Sequence, residues 1–127
     1  MKTFFRSLGA VLAGMFTWAI LWVANNSALA AAFPDAFAED GSTSRAGILL
    51  TMLAASVVFS VLAGWVTAKV AVDKVLAHTL ALGLVQLAIG VLVQMQYWDV
   101  MPLWYHLPFL ALLIPGNVLG GVIRSRR

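Results

Sequence analysis

What most limits this chain is where its charges are not. No Asp, Glu, Lys or Arg occurs from Ser7 to Pro34, from Ala46 to Ala68, from Val75 to Trp98, or from Val100 to Ile123. Each gap exceeds the roughly 20 helical residues that cross a hydrocarbon core about 30 Å thick. Together the gaps take up most of the 127 residues. Only 10% of residues are charged, against roughly 25% in an ordinary soluble domain. With lipid as the solvent, backbone N–H and C=O groups must be paired within each segment, as helices allow. The sequence therefore predicts an all-α fold, an integral membrane bundle of four transmembrane helices. They fall at about 7–24, 46–68, 75–95 and 103–123, in a single membrane domain over 1–127. A loop over 25–45 and an interfacial segment over 96–102 join them.

The bases set an orientation. Lys2 and Arg6 precede the first helix, Lys69 and Lys74 lie in the turn between the second and third, and Arg124, Arg126 and Arg127 follow the fourth. All seven share one side, and Arg45 alone lies on the other. The positive-inside rule makes the crowded side cytoplasmic. The expected topology is N-in/C-in, multi-pass, in a bacterial inner membrane, with Asp35, Glu39, Asp40 and Asp99 outside. Because the bases sit at helix ends and form no patch, the net charge of +3 does not point to nucleic acid. The expected partners are the lipid bilayer and either another membrane protein or further copies of the chain. Trp18 and Trp22, and Tyr97, Trp98, Trp104 and Tyr105, read as outer interfacial anchors, and Trp65 as an inner one.

The start of the chain has a second reading. A short basic segment and an apolar run precede Ala28-Leu29-Ala30, the A-x-A form of a signal-peptidase site. Cleavage there would leave three helices with the same sidedness. The 17-residue apolar run is longer than the usual 7–15 and carries two tryptophans, which favours retention.

Along the helices, small and polar residues recur on one side. At about 100° per residue, Ser56, Ser60, Gly64 and Thr67 share one sector of helix 2. Thr79, Gly83, Gln86, Gly90 and Gln94 share one sector of helix 3, opposite Leu80, Leu84, Val85, Val91 and Leu92, which read as lipid-facing. Helix 4 carries Gly116-x-x-x-Gly120 beside Asn117, and helix 1 carries Ala10-x-x-x-Gly14. Small residues let helices approach closely in lipid, and amides bond across them. The same residues would suit a polar path for a solute. Pro115 is expected to interrupt helix 4 and free the carbonyl near position 111, with Asn117 or a neighbouring helix as the replacement donor. "VLAGMFT" at 11–17 and "VLAGWVT" at 61–67 form a short echo that suggests matched packing faces.

Reactive chemistry is missing. Cysteine is absent, so disulfides and thiolate metal sites are excluded. The four spans hold no charge, the usual mark of proton or ion coupling. His78 and His106 lie at opposite ends; His78 reads as an interfacial or capping residue. A cluster of His106 with Asp99 and Tyr105 would give too few ligands for a metal. Ser56 and Ser60 have no nearby base in sequence. No enzyme, cofactor or metal site is expected.

Three resemblances bear on the expectation. In size and helix number the chain is similar to small multidrug transporters, but the glutamate their first helix uses is absent from residues 7–34. "GNVLGG" at 116–121 faintly resembles a segment of the small fluoride channels, whose Thr/Phe/Ser-rich filter is lacking. "AGWVTAKVAVDKVLAHTLALG" at 63–83, with the later "PLWYHL", resembles a loose group of uncharacterised small four-helix bacterial inner-membrane proteins. That last resemblance implies a four-helix membrane protein and carries over no activity. The expected function is non-enzymatic, through helix–helix contacts as an accessory subunit or homo-oligomer. The alternative is a small transporter or channel for a neutral or apolar solute, with Gln86, Gln94 and Asn117 on its path.

Overall fold

A computed structural model of the chain describes residues 2–38, 43, 45–99 and 101–125. It contains four α-helices, α1 Lys2–Ala32, α2 Ala46–Ala71, α3 Val75–Gln96 and α4 Leu103–Ser125, with a short 3-10 turn at Pro34–Ala36 after α1. All four are long and apolar enough to cross a membrane. Glu39, Asp40, Arg126 and Arg127, which contribute to the charge map, lie outside the described residues.

Local chemistry sets the helix ends. α1 runs eight residues past its predicted end. Asn25 and Asn26 do not stop it, because no Gly or Pro follows until Pro34 and the run after them is rich in alanine, the best helix former. Phe33 then leaves the helix at φ −131°, ψ 63°, as the residue before a proline is steered to do. The α2–α3 turn is tight. Val72 and Lys74 both take positive φ, 72° and 48°, and the Val72 N–H closes α2 by donating to the Ala68 carbonyl at 3.0 Å. α4 continues through both Pro108 and Pro115. The predicted interruption at Pro115 is therefore corrected: α4 runs on past it, with Pro115 on the exposed side, since a proline removes one hydrogen bond and can bend a helix without ending it.

In cross-section the helices follow the order α1, α2, α4, α3. α2 packs broadly on both α1 and α4, α3 packs on α4, and α1 meets α3 where Ser7 reaches His78 and Gly14 lies beside Leu82. α2 and α4 run parallel, while each hairpin is antiparallel. One end of the bundle carries Lys2, Arg6, Lys69, Lys74 and Arg124 and is called the basic end; the other is the far end. The apolar core includes Trp18, Leu49, Ala63, Leu82, Phe109 and Leu113. Leu80, Leu84, Val85, Val91 and Leu92 of α3 point outward.

The two echo segments meet. Gly14 of α1 lies against Ala63 and Thr67 of α2, and the Thr67 hydroxyl donates to the Ala10 carbonyl at 2.8 Å. Trp18, expected at an interface, is instead 5% exposed. With α1 starting at Lys2 and ending at Ala32, residue 18 falls at mid-helix rather than near an end.

Candidate functional site

The polar and small residues singled out in the sequence gather around α4. Ser56, Ser60 and Gly64 of α2, Thr79, Gly83, Gln86, Gly90 and Gln94 of α3, and Gly116, Asn117 and Gly120 of α4 are all buried. The α2 side of this seam is a backbone-to-backbone contact. A Cβ at Gly64 would overlap the Asn117 carbonyl oxygen and lie 2.7 Å from the Asn117 carbonyl carbon. One turn on, a Cβ at Gly120 would overlap the Val61 carbonyl oxygen and lie 2.8 Å from the Trp65 nitrogen. Only glycine permits that approach. Gly116 sits over Ser60. Thr67, on the same sector of α2, is turned toward α1 instead.

The α3 side carries the hydrogen bonds. Asn117 Nδ2 donates to Gln86 Oε1 at 2.6 Å and to the Leu113 carbonyl at 2.7 Å. Asn117 is not the replacement donor for the carbonyl at position 111, since both its amide hydrogens are used elsewhere. Gly83 faces Ile114, and Gly90 faces Leu110 and Leu113. Thr79 turns its hydroxyl back to the Val75 carbonyl at 2.9 Å, with its methyl beside Gly121.

Toward the far end the seam continues through two residues that their sequence neighbours suggest lie near the membrane surface. His106 and Tyr105 are fully buried. His106 Nδ1 donates to Gln94 Oε1, and its ring stacks on Trp98 with centroids 4.6 Å apart. Tyr105 stacks on Phe109 at 5.8 Å, and Trp22 packs on Phe109 at 5.2 Å. A cluster of His106 with Asp99 gives way to this histidine–glutamine pair. A signal for it is present in the sequence: His106, Leu113, Asn117 and Gly120 follow one another at spacings of seven, four and three, which is one face of a helix.

Several buried polar atoms have no hydrogen-bond partner within the protein. They include Ser60 Oγ, Gln86 Nε2, Asn117 Oδ1, His106 Nε2, the Tyr105 hydroxyl and Asn26 Oδ1. Two of them, on Asn26 and Tyr105, belong to residues lining a cavity of about 150 Å³ at the far end. A second recess, about 270 Å³, opens at the basic end between Lys2, Arg6, Asp73 and His78. There His78 Nδ1 donates to the Lys74 carbonyl at 2.9 Å. In the neutral ring Nε2 then accepts the Ser7 hydroxyl at 2.8 Å. Trp65 lies between Lys69 and Arg124, with the cations 5.3 and 5.7 Å from its ring centroid.

Among the described residues no group of three or more His, Cys, Asp or Glu could hold a metal ion. The seam offers close helix packing and amide pairing, and at the basic end a serine meets an imidazole, where the Ser7 hydroxyl donates to His78 Nε2. No protein-family model, curated protein sequence or solved structure matches the chain.

Proposed function

We propose that the chain is a multi-pass protein of a bacterial inner membrane, N-in and C-in, and that it is non-enzymatic. It acts through helix–helix contacts, as an accessory subunit of a larger membrane assembly or as a homo-oligomer. The observation that carries this reading is how the seam uses its groups. Its glycines and amides hold α2, α3 and α4 against each other within one chain. Between the two ends the middle of the bundle is filled by Leu82, Leu113, Gln86 and Asn117, each fully buried. That favours packing over a solute path. The outward surface is apolar, and none of the four helices contains an acid. α1 is the least enclosed helix. It presents Phe4, Leu8, Leu12, Phe16 and Ile20 at a spacing of four, all exposed. Gly9 beside them has nothing within 4 Å of a Cβ position, a notch of the kind helices use to pack in lipid.

Two experiments test this. Since the chain has no cysteine, Asp35→Cys and Lys74→Cys report sidedness cleanly. A membrane-impermeant maleimide should label position 35 in intact cells and reach position 74 only after lysis; the reverse pattern overturns the topology. Native mass spectrometry after mild-detergent extraction should show a stoichiometric partner or a defined oligomer. A lone monomer across several detergents and in nanodiscs refutes the contact reading.

A further inference from the structure

We propose that the basic-end recess holds the headgroup of a zwitterionic amino-phospholipid, with the lipid phosphate toward Lys2 and Arg6 and its primary ammonium toward Asp73. The inference rests on the multi-pass part of the proposed function and goes beyond helix–helix contact. The recess measures about 270 Å³. α1 contributes Lys2, Thr3, Arg6 and Ser7 to its wall, while the α2–α3 turn contributes Asp73 and the start of α3 contributes His78. The bases thus come from one element and the acid from another. Among the described residues neither Lys2 nor Arg6 forms an ion pair with Asp73. Opposite charges that line one recess without pairing suit a guest that carries both signs. Size allows it: a cavity of about 150 Å³ holds benzene, and a phosphoethanolamine group is little larger.

The depth of the recess names the source of that group. Ser7 opens the charge-free run 7–34 and Val75 opens the run 75–98. Ser7 and His78 therefore lie in the first turn of their spans, where the hydrocarbon core gives way to the headgroup layer. Here α1 is fixed to α3. The Ser7 hydroxyl donates to His78 Nε2 at 2.8 Å, and His78 Nδ1 donates to the Lys74 carbonyl at 2.9 Å. With these groups already paired, the charged side chains do the selecting. Lys2 and Arg6 offer a phosphate charge-assisted hydrogen bonds, and the Thr3 hydroxyl can donate another. Asp73 opposes a purely anionic guest and attracts a cation. A primary ammonium brings three N–H donors to that carboxylate. A choline group brings none, and a glycerol headgroup has no positive charge.

The test places the full chain in nanodiscs of equal parts phosphatidylethanolamine, phosphatidylcholine and phosphatidylglycerol, and native mass spectrometry reads which lipid stays bound. Phosphatidylethanolamine should be retained over phosphatidylglycerol by about two- to fivefold, the worth of one ion pair at a wet site. Asp73→Asn should reverse that order. Lys2→Gln combined with Arg6→Gln should lose the retained lipid, and Arg45→Gln at the far end should change nothing. Circular dichroism checks that each variant folds; if Asp73→Asn does not, the Lys2 and Arg6 variant against the Arg45 control decides. Soluble phosphoethanolamine at the same concentration should leave the lipid in place, and displacement by it would overturn the lipid as the source. Phosphatidylglycerol leading in the unaltered protein, a phosphatidylethanolamine preference that survives Asp73→Asn, or equal retention in all variants would each overturn the proposal. The maleimide experiment decides the membrane reading separately: a chain with the expected sidedness and no lipid preference refutes this site alone.

Discussion

Gly64→Ala and Gly9→Ala make the same chemical change at two helix sites with opposite surroundings. At Gly64 the new methyl would overlap the Asn117 carbonyl oxygen and lie 2.7 and 2.8 Å from the Asn117 carbonyl carbon and Cα. Carbon atoms in contact prefer about 3.5–4.0 Å, so α4 must retreat by about 1 Å. The obstacle is backbone, which cannot swing aside as a side chain can. Overpacking of this kind costs about 1–3 kcal/mol. At Gly9 nothing lies within 4 Å. Alanine is the better helix former at both positions by about 1 kcal/mol, and that gain cancels when the two variants are compared. Gly9→Ala should therefore be more stable than Gly64→Ala by about 1–3 kcal/mol, roughly 5- to 150-fold in the unfolding constant. Equilibrium unfolding in mixed detergent–SDS micelles, followed by circular dichroism, measures the gap. Equal stabilities would mean that α2 and α4 do not meet at Gly64, and the account of the seam would fall with that contact.

Three other outcomes follow from the same structure. Val72→Gly should stabilise the protein by about 1–2 kcal/mol, because an L-residue at φ 72° carries a left-handed penalty that glycine lacks; a thermal melt that does not rise would remove the strain. In a double-mutant cycle, Gln86→Ala and Asn117→Ala should couple by about 0.5–1.5 kcal/mol, while Gln86→Ala and Ser7→Ala, whose hydrogen bonds share no partner, should simply add. Trp65→Leu should lose about 0.5–1 kcal/mol for each cation beside its ring, measured as the shift in unfolding midpoint; an unchanged midpoint in low salt would show that Lys69 and Arg124 gain nothing there.

The four helices were legible because lipid leaves a strong imprint: a chain that folds in water rarely keeps four stretches of this length free of charge. The seam was legible too, since Gln86 and Gln94, and Gly116 and Gly120, repeat at helical spacing. What stayed hidden depended on which helix lies beside which. The α1–α2–α4–α3 order is not written in any one segment, so the parallel contact of Gly64 with Asn117 could not be named in advance. Trp18 reads as an anchor only if α1 ends near residue 24; an α1 that runs to Ala32 places it at mid-depth. His106 escapes sequence reading for a related reason. Its neighbours Trp104 and Tyr105 suggest a headgroup belt, and only its spacing to Leu113 and Asn117 shows that it turns inward.

The position of α4 has a consequence for biosynthesis. A chain made from its N-terminus delivers α3 before α4, so on the membrane reading Gln86 and Gln94 reach the bilayer while Asn117 and His106 are still in the ribosome. During that interval the two amides have no partner of their own, and α2 exposes the glycine at 64 to lipid. Arrival of the last helix fills both needs in one step. α4 therefore acts as the latch of assembly, and a nascent chain stalled before it would present to membrane quality control the same amides that the finished protein conceals.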